Sequence, residues 1–200
     1  MSKLRVLIGC ERSGIVRDAF LRLGHEAMSC DLAETDASGP HYKGDVFDVI
    51  DYPWDIGIFH PPCTDLSVSG ARHFEAKRLL GIQQASVSFF MKLYRMSRHI
   101  KGTAFENPVS VMSSLWRKPD QIIQPWQFGH GETKATCLWL DGLKPLKPTN
   151  VVEGRVARIH RMPPSEDRAR LRSETYKGIA DAMAFQWAGA AGLAVCASSM

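Results

Sequence analysis

Apolar positions along the chain follow two rhythms. Leu4 to Ile8 is a short β-rich run stopped by Gly9, the pattern of a strand entering a turn. Between Gly14 and Leu23 the spacing changes. Ile15, Ala19, Phe20 and Leu23 recur at helical intervals, and Gly24 ends the run. Residues 26–32 (EAMSCDL) predict a second strand ending at Asp31, and residues 44–50 (GDVFDVI) a turn with a short element. Residues 54–60 (WDIGIFH) form a continuous apolar segment, as expected of a buried parallel strand. Glu75 to Arg98 predicts a helix with a break near Gly81, and residues 102–108 (GTAFENP) a strand ending in a polar turn. Residues 133–143 predict a late strand in a hairpin at the sheet edge. Residues 144–164, rich in Pro and Arg, predict irregular chain, and residues 178–190 a closing apolar helix.

Strands alternating with helices predict an α/β fold with a mostly parallel sheet. Ligands of such sheets gather beyond the carboxyl ends of the strands. The polar residues at those ends are Gly9 to Gly14, Asp31, Asp45, His60 to Thr64, and Glu106 with Asn107. Five strand ends carrying usable chemistry are more informative together than any one alone.

Composition narrows this picture. The 200 residues, 44% hydrophobic and 23% charged, suit one globular domain over 1–190 with a flexible tail at 191–200. Net charge is +4, compatible with an anionic ligand. Cys10, Cys30, Cys63, Cys137 and Cys196 are scattered, odd in number and without a CxxC. That argues against a disulfide scaffold or a zinc site, and the histidines show no metal-ligand spacing. The N-terminus has no signal-peptide pattern, and the apolar tail is too short to span a bilayer. A reduced, cytoplasmic, membrane-free protein is expected.

The chemistry-bearing stretches have bland readings beside sharp ones. The turn GCERSG (residues 9–14) lets a ligand approach backbone, yet it is not GxGxxG and also fits a plain strand–helix turn. Asp31, at the next strand end, suits a ribose hydroxyl pair. Asp45 suits an adenine amino group, and both also fit ordinary turns. In PPCT (61–64) the prolines stiffen the backbone around Cys63, which needs partial exposure and a lowered pKa to act as a nucleophile. Glu106 comes at the next strand end, and burial there predicts a raised pKa that keeps its proton for a ring nitrogen. Arg155, Arg158, Arg161, Arg168, Arg170 and Arg172 form a basic stretch suited to phosphates or to a solvated face. Trp116, Trp126 and Trp139 are expected in the core or at its rim.

The order of these motifs resembles the DNA cytosine-C5 methyltransferase family, in a short, phage-like form. Gly9, Ser13 and Gly14 resemble its glycine turn, and Asp31 its acidic residue. Gly44-Asp45, then Pro62-Cys63 with Ser67, then Glu106-Asn107 follow in the family's order. Lys134 resembles a basic residue before a late strand, and Ser173 to Ile179 the lead into a final helix. The resemblance implies a Rossmann-like S-adenosylmethionine-dependent methyltransferase fold. It implies S-adenosyl-L-methionine held by Gly9, Cys10, Glu11, Ser13, Gly14, Asp31, Leu32, Asp45, Val46, His60 and Pro61. It implies catalysis by Cys63, attacking C6 of cytosine, and by Glu106 at N3, with Pro62, Asn107 and Lys134 in support. Methyl transfer to C5 would follow.

The sequence departs from the family at Ile15, Thr64, Pro108 and the single Lys134. Only residues 135–161 separate Lys134 from Met162, too few for the family's target-recognition domain. DNA as substrate therefore implies a homodimer or a separate DNA-recognition partner, because extruding a base costs roughly a few kcal/mol. A free cytosine nucleotide or a single strand avoids that cost. Two further readings stay open: an amino-group (N4/N6) methyltransferase, since His60-Pro61-Pro62 is followed by Cys63 where those enzymes carry an aromatic residue, and a degenerate nucleic-acid-binding fold.

Overall fold

The computed structural model describes residues 2–189. The tail expected at 191–200, with Cys196, lies outside the described residues. The strands are β1 (Arg5–Gly9), β2 (Glu26–Asp31), β3 (His41–Lys43), β4 (Ile56–Phe59), β5 (Gly102–Pro108), β6 (Gln121–Ile123) and β7 (Thr136–Asp141). The helices are α1 (Ile15–Arg22), α2 (Phe74–Leu79), α3 (Ile82–Met96), α4 (Met112–Leu115), α5 (Arg158–Arg161), α6 (Arg168–Ser173) and α7 (Lys177–Ala188). One sheet runs in the order β3-β2-β1-β4-β5-β7-β6. The first five strands are parallel, and β7 is antiparallel to both β5 and β6.

Side chains alternate across the sheet. Val6, Ile8, Ile56, Ile58, Ala104 and Leu138 face α1 and α7, where Phe20, Met183 and Trp187 close one core. Leu7, Phe59, Phe105 and Trp139 face the other side, against Phe90 and Leu93 of α3. There Phe59 stacks on Phe105 with ring centroids 5.0 Å apart, and Trp116 and Trp139 pack edgewise on Phe90. Trp126 sits at the rim, with the Arg155 guanidinium 3.9 Å from its ring centroid.

The strand order reverses between β1 and β4, whose chains leave toward opposite sheet edges. That divergence opens a crevice beyond their carboxyl ends. Most expected elements are present, including the break at Gly81, which has φ +72° between α2 and α3. The late strand is corrected. β7 is not at the edge but is covered by β6, an unexpected strand that precedes it in the chain. β3 also went unforeseen. Both have three residues, too short for alternation to register. In the Arg-rich stretch, α5 and α6 add short helices to an otherwise irregular chain.

Candidate active site

β4 ends at Phe59, and the chain continues as His60-Pro61-Pro62-Cys63. Two neighbouring strands hold this turn. The His60 N–H donates to the Gly9 carbonyl of β1 at 2.9 Å, and the Asn107 side-chain amide of β5 donates to the Pro61 carbonyl at 2.8 Å. Beyond Cys63 the chain turns tightly, because its carbonyl accepts the N–H groups of Leu66 and Ser67 at 3.1 and 2.9 Å. Lys77 of α2 then ties down the loop, donating to the Thr64 carbonyl at 2.9 Å and pairing with Asp65 at 2.8 Å. Gln83 of α3 donates to the Asp65 carbonyl at 3.1 Å. A loop fixed from β1, β5, α2 and α3 presents its thiol in a defined place. Cys63 is half-buried while Pro62 is exposed.

Glu106 stands on the same sheet face as His60, and its Oε2 lies 3.1 Å from His60 Nδ1. Burial alone would raise the Glu106 pKa. The His60 hydrogen bond and the charges of His60 and Lys134 outweigh it and hold the carboxyl below its usual range. This corrects the expected proton-bearing Glu106: sequence could see the burial but not the partner. His60, expected in the cofactor group, is in contact with Glu106. The Cys63 thiol is pushed up by burial and by the Glu106 charge, with Lys134 and Arg172 pulling it down. Cys63, Glu106 and Lys134 are therefore within electrostatic reach of one another. Arg172, on α6, joins them from the basic stretch.

Lys134 is held by the Glu174 carbonyl at 3.0 Å and lies 5.8 Å from the Tyr176 ring centroid. Tyr176 in turn donates to Glu132 at 2.7 Å, which also receives Arg158 at 3.0 Å. The chain leading into α7 is thus bound to the segment preceding β7. Two buried polar atoms in the crevice, His60 Nε2 and Asn107 Oδ1, have no hydrogen-bond partner among the described residues.

The second group of expected residues surrounds the ends of β1 and β2. Gly9 leaves no room for a side chain, since a Cβ would lie 2.6 Å from Phe59 and 2.9 Å from Val46. Cys10 follows with φ +59°, an uncommon conformation for a residue with a Cβ. Burial first, then Asp31, Cys30 and Asp45, push its thiol up, so both carboxylates lie near it. Asp31 Oδ1 accepts the Ala33 N–H at 2.9 Å, and Asp45 Oδ1 accepts the Phe47 N–H at 3.0 Å. Each keeps one oxygen free of these turns. Leu32, beside Asp31, is exposed. Two half-used carboxylates and an apolar side chain beside this backbone offer acceptors for the hydroxyl and amino groups of a nucleoside-type ligand. Glu11 is placed differently. It is buried, and its carboxylate accepts Ser13 Oγ at 3.1 Å and the N–H groups of Val16 and Arg17 at 2.8 and 3.4 Å. It caps α1, a task its neighbour Gly14 cannot perform.

No protein-family model matches the sequence, and no curated protein matches it. Among solved structures, the Entamoeba histolytica methyltransferase EhMeth is similar in fold. The match has a TM-score of 0.50 and 16% sequence identity over 77% of this chain. The fold is a Rossmann-like methyltransferase fold. The chain spans 58% of the length of that structural neighbour. On this methyltransferase fold, the Cys63–Glu106 group lies past β4 and β5 and the Asp31–Asp45 group past β2 and β3, with the β1 turn between them.

Sequence reasoning missed the Arg172 charge at Cys63, hidden in a run of six similar arginines. It also missed Arg17, a completely buried residue of α1 whose guanidinium holds residues 35–38 beside Asp31. One of two arginines on an amphipathic helix, Arg17 gave no signal of that role.

Proposed function

We infer that the chain is an S-adenosylmethionine-dependent methyltransferase acting on C5 of cytosine, in DNA or in a cytosine nucleotide, through a covalent Cys63 adduct. The observation that supports this reading best is the strand register, which pairs Phe59 with Phe105 and Pro108 with Thr136 and so brings Cys63, Glu106 and Lys134 to one end of the sheet. C5 of cytosine is a poor nucleophile until a thiolate adds to C6 and makes the ring enamine-like. Cys63, on its pinned loop, supplies that thiolate. Glu106 faces the ring nitrogen. On balance burial and the Glu106 charge raise the Cys63 pKa, contrary to the lowering expected of it, and Lys134 and Arg172 oppose that rise. Asp31 and Asp45 would hold the ribose and adenine of the cofactor, with Leu32 against the adenine face. The bound cofactor supplies an electrophilic methyl group on its sulfonium. Arg172, near the nucleophile, is suited to a substrate phosphate.

The test compares label transfer from S-adenosylmethionine to duplex DNA, single-stranded DNA, RNA, dCMP and dCTP. Transfer to a cytosine substrate that stops in Cys63→Ala, together with a stable adduct of Cys63 with a 5-fluorocytosine substrate, is the expected result. Transfer that survives Cys63→Ala at near-normal rate refutes covalent catalysis and favours an amino-group acceptor.

A further inference from the structure

His60 does something that the cofactor role expected for it does not cover. Its ring is nine-tenths buried, its Nδ1 lies 3.1 Å from Glu106 Oε2, and its Nε2 has no partner among the described residues. The two side chains extend from adjacent parallel strands, β4 and β5, whose register pairs Phe59 with Phe105. Being next in each chain, they project on the same sheet face. An imidazole contacts a carboxylate oxygen at this distance only with a proton between them, on Nδ1 or on the acid. With a further proton on Nε2 the ring is an imidazolium, and in that state the pair holds a proton that Nδ1 can give up to leave a neutral imidazole beside an ionised carboxyl. The open Nε2 lets the ring change its charge without breaking another hydrogen bond.

We propose that His60 and Glu106 share one transferable proton, and that this pair, not a carboxylic acid alone, protonates N3 of cytosine as Cys63 attacks C6. The proposal rests on the cytosine-C5 reading above and assigns the source of its proton. In the step, the thiol has already lost its proton to solvent. The thiolate electron pair forms the S–C6 bond. The C5–C6 π pair moves into the C4–C5 bond, and the C4–N3 π pair becomes a lone pair on N3. Glu106 passes to N3 the proton it draws from His60 Nδ1. The negative charge of sulfur and the positive charge of imidazolium disappear together, leaving a neutral enamine, a neutral imidazole and the carboxylate. The Nδ1 lone pair then faces a carboxylate, a contact that favours return of the proton when the adduct breaks down. The titratable groups facing Glu106 besides His60 are Lys134 from the segment before β7, Cys63 from the β4 loop and Cys137 of β7, while Arg172 of α6 acts on Cys63. Lys134 helps to ionise Glu106.

The experiment uses His60→Gln, whose amide can still donate to Glu106 but carries no transferable proton. Glu106 titration is followed by carbon-13 NMR of labelled glutamate carboxyls, and methyl transfer to the best cytosine substrate is followed against pH. In the variant, Glu106 should titrate at higher pH than in the wild type. The kcat at neutral pH should fall about 100-fold, in line with loss of a general acid. It should recover in part toward acid pH, where Glu106 carries its own proton, and KM should stay within about threefold. Combining His60→Gln with Glu106→Gln should cost little more than Glu106→Gln alone, because residues acting as a unit are non-additive. An unchanged Glu106 titration, or a kcat loss equal at every pH, overturns the proposal and leaves covalent catalysis intact. If the wild type forms no adduct with any cytosine substrate, the parent reading fails and the proton transfer falls with it. Should His60→Gln fail to fold, His60→Asn with the same readouts decides between these outcomes.

Discussion

Replacing Arg17 with Met tests how the crevice beside β2 is built. Arg17 is completely buried, and its guanidinium uses all five donors. Nε donates to Asp18 at 2.8 Å, Nη1 to Ser29 and Thr35 at 3.1 and 3.3 Å, and Nη2 to the Ala37 and Ser38 carbonyls at 3.1 and 3.0 Å. Hydrogen bonds from a charged donor contribute about 1.5–3 kcal/mol each, offset by several kcal/mol for burying the ion. Two acceptors keep other partners: Ser29 contacts His41 at 2.8 Å and Thr35 donates to the Arg12 carbonyl at 2.9 Å. The two carbonyls, in an exposed loop, regain water. The net cost should therefore be about 3 kcal/mol, at the low end of the range for breaking a buried charged network. With an m-value of roughly 2–3 kcal/mol/M, the urea midpoint should fall by about 1–1.5 M at unchanged m. Amide exchange should speed up in residues 33–39 more than in β4 or β5. A midpoint within about 0.2 M of wild type, or exchange that rises evenly over the chain, would show that Arg17 does not hold this loop.

Three further predictions follow from the same geometry. Alkylation of Cys63 by iodoacetamide, located by mass spectrometry, should be faster in Glu106→Gln and slower in Lys134→Met, because the Glu106 charge raises and the Lys134 charge lowers the thiol pKa; equal rates in all three proteins would refute the coupling. Glu106, with its folded pKa below the ordinary value of 4.5, contributes stability that is present above that value and is lost as pH falls through the folded one. Glu106→Gln should therefore show a flatter decline in stability below about pH 4.5 by urea titration than wild type. Gly178→Ala would drive a Cβ into the Phe128 carbonyl and should destabilise by more than about 2 kcal/mol. Gly81→Ala, at φ +72° with open space around it, should cost only the roughly 1–2 kcal/mol of a left-handed alanine. Thermal unfolding ranks the two.

The sheet was legible where apolar runs are long. β1, β4, β5 and α1 follow from their periodicity because burial on both faces, or on one helical stripe, leaves a pattern that needs no partner to be seen. β3 and β6 are stabilised by neighbours rather than by their own sequence. Their three residues each pair with strands that sequence reveals, but nothing local distinguishes them from loop. The same distinction applies to the site. Cys63 and Glu106 were legible as strand-end residues. The charge state of Glu106 was not, because it depends on His60, 46 residues earlier in the chain. Glu11 shows the same limit: a carboxylate in a glycine turn reads equally well as a ligand residue or a helix cap, and the capping shows only in the Val16 and Arg17 contacts.

The connection after β7 bears on which cytosine the site can take. Residues 142–157 run without helix, tied back by isolated bridges from Phe128 to Asn150 and from Glu132 to Val156. No second folded unit is inserted there. Three of the six arginines of the basic stretch are engaged with the protein itself. Arg155 donates to the Val152 and Gly154 carbonyls, Arg158 pairs with Glu132, and Arg170 pairs with Asp167 and Glu174. The carboxylate pairings of Arg158 and Arg170 withdraw charge that a duplex reader would direct at phosphates. Extruding a stacked base costs roughly a few kcal/mol that such contacts must offset. Arg172 near Cys63 can meet one phosphate, enough for a nucleotide or a flexible strand but a poor return on opening a duplex. The internal pairing of these arginines therefore favours an unstacked cytosine as the substrate of the proposed reaction, unless a second copy or a partner protein supplies the missing contacts.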